Sequence, residues 1–251
     1  MKQYGMVIDL QKCVGCGACA ISCKTENNTQ NRGNGQSFNW AGFLYEESGS
    51  FPNVAHITRP VMCNHCTDAP CVAACPVTPP AIFKTPDGIT MINHERCKGD
   101  RACQRACPYS KEAIGAGDWS VLSFNEFKKE THPNFRDASE MIPGGTASGA
   151  ATAAQAGSVP PHRNRYGHPD YDDIRRAGVI EKCIFCDHRV KKGELPYCVV
   201  SCPSGARIFG DIKDPAGEPA KLLKTYKAQV LKPEEGTGPN VYYIRSFKVS
   251  L

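Results

Sequence analysis

Fifteen cysteines in four short groups constrain this chain more than any other feature of its sequence. The groups lie at residues 13–23, 63–75, 97–107 and 183–202, and every cysteine belongs to one of them. An odd number of cysteines cannot all pair as disulfides. The third group has three cysteines and carries Asp100 where the spacing predicts a fourth. The chain therefore presents four sets of four candidate ligands.

The first group, CVGCGACAISC, has the C-x2-C-x2-C-x3-C spacing of a ferredoxin loop that binds a [4Fe–4S] cluster. Two-residue gaps let a short loop supply thiolates to three corners of the cluster while its backbone N–H groups point towards the sulfides. Gly15 and Gly17 keep that loop free of bulk. Groups two and four widen one gap but keep the C-x2-C start and the C-x3-C-P end. This pattern predicts iron–sulfur clusters.

Zinc is the alternative metal, because paired C-x2-C elements also form four-thiolate Zn²⁺ sites. We favour iron because zinc ribbons rarely place four cysteines in one C-x2-C-x2-C-x3-C run. His65 and His188 lie inside groups that already have four cysteines. We therefore expect both histidines beside the ligands or at the surface, and not among the ligands.

An internal repeat predicts how the groups pair. GMVIDLQKC before the first group resembles ITMINHERC before the third, and both are predicted strands that lead into a cluster loop. AIFKTPDGITMI, between groups two and three, is typical of a β-hairpin. Groups two and three then form one compact two-cluster unit, and groups one and four pair around it. The predicted fold is α+β, with two nested bacterial-ferredoxin-like units made of short strands, short helices and long cluster-binding loops.

Domain boundaries follow from this nesting. The outer unit is residues 1–23 with 179–212, the inner unit is 60–115, residues 24–59 connect them, 116–178 form an insert and 213–251 form a C-terminal tail. In groups two, three and four, the proline that closes the group is followed by an alanine and an apolar stretch, at residues 81–82, 113–114 and 206–208. Residues 138–161 carry one charge and mostly small side chains, which predicts a flexible or surface-draped segment.

In two-cluster ferredoxins the fourth cysteine of each run binds the other cluster. That rule predicts four ligand sets, named here sites A to D. Site A is Cys13, Cys16, Cys19 and Cys202; site B is Cys183, Cys186, Cys198 and Cys23; site C is Cys63, Cys66, Cys71 and Cys107; site D is Cys97, Asp100, Cys103 and Cys75. We expect [4Fe–4S] clusters in sites A, B and C. Site D either keeps a [4Fe–4S] cluster with Asp100 as an oxygen ligand or loses that iron and holds [3Fe–4S].

Other classes of function find little support in the sequence. No nucleophile–base constellation, P-loop or dinucleotide fingerprint is present, and no recognised nucleic-acid-binding motif accompanies the basic and aromatic residues near position 165. No stretch is apolar enough to span a bilayer, and the N-terminal residues lack a secretory signal or a twin-arginine pair. We therefore expect folding in the cytoplasm, where thiols stay reduced. The formal charge of +5 becomes slightly negative once thiolate-bound clusters are counted, so it implies no anionic partner.

Four segments carry a family resemblance: RPVMCNHCTDAPCVAACP, DGITMINHERCKGDRACQRACPY, IEKCIFCDHRVKKGELPYCVVSCPSGARIFGDIKDP and LKPEEGTGPNVYY. They resemble the four-cluster iron–sulfur subunits of complex molybdopterin oxidoreductases, such as dimethyl sulfoxide, polysulfide, tetrathionate and arsenate reductases. The resemblance implies a non-catalytic electron-transfer role that connects a molybdenum or tungsten pterin catalytic subunit to a quinone-linked membrane anchor or other carrier. It also implies membrane association through the complex, with a periplasmic location open through co-export with the partner.

The resemblance leaves further expectations and alternatives. The insert is longer than the link that the family predicts between groups three and four, and we expect it, like the C-terminal tail, to lie along a partner. Some relatives have a non-ligating residue at the position of Asp100 and carry a three-iron cluster, which favours loss of that iron. The main alternative function is an equivalent electron-transfer role in a hydrogenase, formate or carbon monoxide dehydrogenase system. A zinc-organised scaffold is the more distant alternative.

Overall fold

The computed structural model describes residues 1–27, 29, 40–110, 120–125, 145–155 and 178–246. The strands are β1 (Tyr4–Asp9), β2 (Ala41–Ser50), β3 (Asn53–Met62), β4 (Ile82–Lys84), β5 (Thr90–Ile92), β6 (Ser123–Asn125), β7 (Val179–Glu181), β8 (Arg207–Asp211) and β9 (Val241–Ile244). The helices are α1 (Ala18–Asn27), α2 (Pro70–Ala73), α3 (Ala102–Ala106), α4 (Gly149–Gln155), α5 (Asp187–Val190), α6 (Tyr197–Val200) and α7 (Glu218–Thr225). A 3₁₀ turn covers Pro233–Glu235.

Strand β1 is the middle strand of a three-stranded sheet, with β8 antiparallel on one side and β9 parallel on the other. The register places Ile8 opposite Arg207 and Met6 opposite Val241. Met6, Val7 and Ile8 are fully buried, as expected for a continuous apolar run in a strand covered on both faces. The predicted strand before group one is confirmed.

Strands β4 and β5 form the hairpin predicted between groups two and three, with Ile82 opposite Ile92. The Thr85 N–H donates to the Ile89 carbonyl at 2.8 Å and closes the turn. Gly88 lies within that turn at φ +87°, a conformation that favours glycine. The hairpin prediction is confirmed, and β5 is the predicted strand before group three.

The longest hairpin, β2–β3, is one that the sequence pattern did not predict. Its ladder runs from Ala41 opposite Met62 to Ser50 opposite Asn53. Ala41 and Met62 are buried, whereas Phe51 at the tip is 92% exposed. Most of the predicted connecting segment that the structure describes is therefore a two-stranded arm, anchored at one end in the core.

Part of the predicted insert packs into the core. Val121 and Leu122 are buried, and β6 pairs antiparallel with β7 just before group four. The Gln104 side-chain amide of α3 donates to the Leu122 carbonyl at 2.8 Å. Helix α4 also lies within the insert range. The insert outside residues 120–125, 145–155 and 178, and the predicted alanine and apolar stretch at 113–114, lie outside the described residues.

Cysteines from all four groups lie in the main hydrophobic core, together with apolar residues of the strands. The core is therefore built around the cysteine loops. The predicted α+β class with short elements is confirmed, and the nesting of two ferredoxin-like units stays a prediction. No helix in the described part of the chain combines the length and apolar character needed to cross a membrane.

Candidate iron–sulfur cluster sites

Three of the four predicted ligand sets each line a single cavity. One cavity is lined by the four cysteines of site A, a second by those of site B, and a third by the residues of site D, including Asp100. Each encloses about 310 to 320 Å³ of unfilled space, part of it open to solvent. Among the described residues, no three cysteine, histidine or acidic side chains converge closely enough to hold a single metal ion. The ligand sets surround spaces instead.

The cysteines of site C also lie together, since their thiols influence one another's ionisation. Burial, followed by the thiolate of Cys63 and that of Cys66, raises the pKa of Cys71 to about 12. Burial, followed by the thiolate of Cys71, raises the pKa of Cys107 well above its usual range. These buried thiols keep their protons at neutral pH, so metal binding must displace protons.

Left-handed turns give the loops of groups one and three the same backbone path. Gly15 and Gly17 have φ values of +67° and +79°, and the matching residues Gly99 and Arg101 have +70° and +63°. Glycine adopts this conformation without steric strain. A Cβ atom on Gly99 would also lie 2.1 Å from the carbonyl oxygen of Gly178, so this position requires glycine for space as well.

Asp100 occupies the position in this repeat that Cys16 occupies in group one. Both residues are exposed. Asp100 lines the site D cavity, and its Oδ1 accepts a hydrogen bond of 2.7 Å from the backbone N–H of Ala102, the first residue of α3. The carboxylate is therefore held at the rim of the cavity by the start of the helix.

Backbone N–H groups donate to cysteine sulfur at repeated positions. The N–H groups of Ala81 and Ala206 each lie 3.3 Å from the Sγ of the last cysteine of the preceding group. The N–H groups of His65 and Phe185 each lie 3.4 Å from the Sγ of the first cysteine of their own group. Such donors orient a thiolate and favour it over the thiol. Groups two and four therefore present their sulfur atoms in the same way.

A further repeat relates the groups in pairs. The Asp9 N–H donates to the Ala206 carbonyl at 2.9 Å, and the Asn93 N–H donates to the Ala81 carbonyl at 2.7 Å. The carbonyls of Asp9 and Asn93 each accept a bond of 3.1 Å from the N–H of the first cysteine of the next group. The segment after group four therefore contacts the strand before group one in the same way as the segment after group two contacts the strand before group three.

The loops of groups two and four meet at a stack of buried rings. His65 and Phe185 hold matching positions in their groups, and their ring centroids lie 3.7 Å apart with planes at 19°. The His65 Nδ1 accepts a hydrogen bond of 3.0 Å from the Thr90 N–H. Burial, then the charges of two nearby lysines, lowers the pKa of His65 well below its usual range, so the ring is neutral. His65 and His188 are both buried, which excludes the surface location considered for them.

Besides Lys98 and Arg101, which line the site D cavity, three cations of the described residues approach the sites, and the cysteine pattern gave no sign of these three. Lys182 is fully buried and donates to the carbonyl of Cys183 at 2.5 Å, while half-buried Lys84 donates to the carbonyl of Cys66 at 2.6 Å. Arg207 is buried with Nη1 3.9 Å from the sulfur of a site B cysteine. The sequence feature that could have located these cations is a charged residue inside a strand-like run, as in VIEKC and ARIFG. Positive charge here stabilises the ionised thiols.

Buried donors near the sites fit a bound cluster. Asn64 Nδ2, His65 Nε2 and Arg207 Nη2 have no hydrogen-bond partner among the described residues. Because His65 Nδ1 accepts a backbone N–H, its own proton resides on Nε2. A buried donor left without an acceptor costs about 1–3 kcal/mol. Cluster sulfides and ligating sulfur atoms would supply such acceptors. The thiol donor sets, the cavities and these donors therefore fit iron–sulfur clusters.

Two iron–sulfur domain families match the chain. The family described as a 4Fe-4S dicluster domain matches residues 54–119 and 166–212, and the family described as a 4Fe-4S binding domain matches residues 6–26. Together these ranges include all four cysteine groups. The matches support iron–sulfur clusters as the cofactors and disfavour the zinc alternative.

Similar proteins match the chain along nearly its whole length. It is 44% identical, over 98% of both sequences, to the arsenate respiratory reductase iron–sulfur subunit of Shewanella sp. strain ANA-3. It is 33% identical to a subunit of the selenate reductase of Mesobacillus selenatarsenatis and 32% identical to a subunit of the tetrathionate reductase of Salmonella typhimurium. Each of these two matches covers 96% of this chain and 72% of the relative. This chain therefore belongs to the family of iron–sulfur subunits of complex molybdopterin oxidoreductases.

Proposed function

We propose that this chain passes single electrons through four iron–sulfur clusters, between a molybdopterin catalytic subunit and a quinone-linked partner at the membrane. The observation that carries the proposal is the gathering of four cysteine groups around the sites, in a chain of this family. Clusters whose corners are all held by protein ligands offer no place for a substrate, and they supply one-electron chemistry when bound. The chain itself is therefore an electron carrier and not a catalytic subunit.

Sites A to D are the proposed ligand sets. The shared cavities of sites A, B and D support three of them, and the coupled thiols of site C support the fourth. The crossed arrangement is supported most directly by Cys202, which shares a cavity with Cys13 of the first group, and by Cys75, which shares one with Cys97 of the third. We infer that groups one and four, and groups two and three, exchange their last cysteines.

We propose the path order A, B, C, D. Each pair of successive sites is joined by two thiols that lie close together. Burial is the larger cause of the raised pKa of one thiol in each pair, and the thiolate of the other thiol raises it further. The pairs are Cys19 with Cys198, Cys63 with Cys183, and Cys71 with Cys103. The stack of His65 on Phe185 lies beside the B to C step, because each ring residue donates its N–H to one of the two cysteines there.

At site D we propose an Asp100-bound four-iron cluster that loses that iron readily on oxidation. One carboxylate oxygen accepts the Ala102 N–H, which holds the second oxygen near the cavity. A carboxylate oxygen is a harder donor than a thiolate sulfur, so it binds this iron differently from the cysteines that hold the other corners. Because Asp100 is exposed, solvent and oxidants reach this corner.

Asp100→Cys should give a conventional four-iron cluster at site D. In anaerobically prepared, oxidised protein a three-iron cluster is paramagnetic, whereas a four-iron cluster is silent. Electron paramagnetic resonance therefore distinguishes the two states in the parent protein. A strong three-iron signal that added iron and reductant do not convert would show that Asp100 is not a ligand.

The proposed catalytic partner reduces an oxyanion of the arsenate class. The supporting observation is the match to the arsenate respiratory reductase iron–sulfur subunit, which extends over 98% of both chains. We propose that the complex lies at the membrane, with its side set by the export route of the catalytic subunit. The equivalent electron-transfer role in a hydrogenase, formate or carbon monoxide dehydrogenase system is the alternative.

The test is co-expression and purification of this chain with a molybdopterin catalytic subunit of the arsenate reductase class. We expect about 16 iron atoms on this chain, or about 15 if site D holds three, and about 16 acid-labile sulfides in either case, because both cluster types contain four sulfides. Reduced clusters should be reoxidised by arsenate only when the catalytic subunit is present. Zinc in place of iron, or association with a hydrogenase or dehydrogenase subunit, would contradict the proposal.

The crossed ligand sets have a test of their own, because Asp100 gives site D a distinct spectrum. Cys75→Ser should alter the site D signal, whereas the matched variant Cys107→Ser should leave it unchanged and perturb a four-iron cluster. The opposite result would mean that each group keeps its own last cysteine. Iron content of both variants controls for general loss of clusters.

A further inference from the structure

Arg207 is a buried cation located between two sites. Its side chain is 3% exposed and lines the site A cavity. Its Nη1 lies 3.9 Å from the Sγ of Cys198, a proposed ligand of site B. The guanidinium therefore borders one cluster position and contacts a ligand of the next.

The sheet and the cluster loop fix this position. Arg207 opens β8 opposite Ile8 of the central strand. The preceding residue, Ala206, donates its N–H to the Sγ of Cys202 at 3.3 Å and its carbonyl accepts the Asp9 N–H at 2.9 Å. Because the neighbouring backbone is fixed beside Cys202 and the Arg207 side chain is buried, the guanidinium is held close to the two sites.

In the described structure the Arg207 guanidinium lies within hydrogen-bonding distance of sulfur atoms. Nη1 also lies 3.9 Å from the Sδ of Met62, and Nη2 has no partner within the described part of the chain. Burial lowers the pKa of Arg207, but the thiolates of Cys198 and Cys19 raise it above its ordinary value. A buried cation is stabilised only where negative charge is close. Once clusters are bound, the ligating thiolates of sites A and B would supply that charge.

The internal repeat provides a comparison. Ala81 and Ala206 make the same contacts in the two halves, so the residue that matches Arg207 is Ile82. Ile82 is buried and lines the cavity of site D. The same position thus carries a positive charge beside site A and an apolar side chain beside site D.

We propose that Arg207 raises the reduction potentials of the clusters in sites A and B, an inference that rests on the proposed function. A cluster gains one negative charge on reduction, and a fixed positive charge in a poorly solvated setting stabilises the reduced form. Hydrogen bonds to cluster sulfur act in the same direction, and Nη2 is a donor available for one. Arg207 is thus a residue that tunes two successive steps of the path together.

The experiment is a redox titration followed by electron paramagnetic resonance on the purified complex, with Arg207→Met, Arg207→Lys and, as the matched apolar control, Ile82→Met. Signals of sites A and B are assigned by their loss in Cys13→Ser and Cys183→Ser. In Arg207→Met we expect the reduction equilibrium of at least one of these clusters to fall tenfold or more. For a one-electron couple this is a shift of about 59 mV or more to negative potential. Sites C and D should not move, and Arg207→Lys should restore most of the shift.

Several results separate this inference from the proposed function. If the parent complex lacks clusters at sites A and B, the proposed function fails. If the clusters are present and Arg207→Met leaves their potentials unchanged, or shifts all four equally, the tuning role is wrong. If Arg207→Met loses the clusters, the Arg207→Lys variant distinguishes the two explanations. Parental clusters with parental potentials in Arg207→Lys would support the need for a positive charge. Loss of clusters in Arg207→Lys as well would mean that Arg207 has a role in packing alone.

Discussion

Replacing Phe185 with alanine should destabilise the holoprotein by about 3–5 kcal/mol, the range for removal of a buried aromatic ring. The side chain is 1% exposed, stacks on His65 at 3.7 Å and meets Phe209 edge-on at 5.1 Å. Burial of the side chain accounts for about 1.5–3 kcal/mol. Two aromatic contacts add about 0.5–1.5 kcal/mol each. Together these terms give about 2.5–6 kcal/mol, which spans the range for the substitution. Both rings are held by other groups, His65 by the Thr90 N–H and Phe209 by stacking on Tyr4, so we do not expect them to refill the space.

The assay is anaerobic unfolding in guanidinium chloride, followed by cluster absorbance and by circular dichroism of the backbone. Changes in free energy are taken from the midpoint and slope of each transition. Phe51→Ala is the matched control, since it removes the same atoms from a side chain that is 92% exposed, and it should lie within about 0.5 kcal/mol of the parent. Phe185→Leu, which keeps part of the volume, should give an intermediate loss.

Equal midpoints for Phe185→Ala and Phe51→Ala would refute the reasoning, because the ring stack would then contribute no net stability. A second contrary result is loss of cluster absorbance in Phe185→Ala with an unchanged backbone transition. That pattern would mean that the ring protects the cluster and does not stabilise the fold around it.

Three other predictions use the same preparations. Gly99→Ala should destabilise the protein far more than Gly17→Ala, because a Cβ at Gly99 would lie 2.1 Å from the Gly178 carbonyl oxygen, whereas a Cβ at Gly17 would have no described atom within 4 Å. The Gly17 variant should lose only about 1–2 kcal/mol of stability, because its backbone is left-handed. Similar unfolding midpoints for the two variants would contradict this prediction. Removal of iron by a chelator should abolish cooperative unfolding, since the loops lose the ligand that organises them; an apoprotein with the parental melting transition would show otherwise. Deletion of residues 138–161 should weaken co-purification with the catalytic subunit at unchanged iron content, and unaltered co-purification would count against a docking role for the insert.

Local features of the fold followed from the sequence because their causes are local. The spacing around Cys13 and Cys97 fixes short loops, and the Thr85–Ile89 turn joins two strands only a few residues apart. The β2–β3 arm was missed because most of its length, up to exposed Phe51, buries no clear apolar face. Its pairing becomes evident only when the two strands are seen together.

Contacts around the sites were harder to predict because they join distant residues. His65 and Phe185 lie 120 positions apart, and each is an ordinary residue within its own group. In the sequence, Arg207 is only one residue of the apolar stretch that follows group four. Its proximity to Cys198 depends on how β8 lies against β1. The cysteine pattern identifies candidate ligands, whereas the surrounding charges are set by tertiary packing.

The sheet order β8–β1–β9 has a consequence for biosynthesis. Strand β1 lies at the start of the chain, yet its antiparallel partner follows about 200 residues later, as the register of Ile8 with Arg207 shows. During translation β1 therefore has exposed edges until β8 and β9 have left the ribosome, whereas β4 and β5 can pair as soon as they emerge. The segment of residues 60–110 can therefore pair its strands early, whereas β1 must wait for the end of synthesis. An apolar strand left unpaired for so long is exposed to aggregation until its two partner strands arrive.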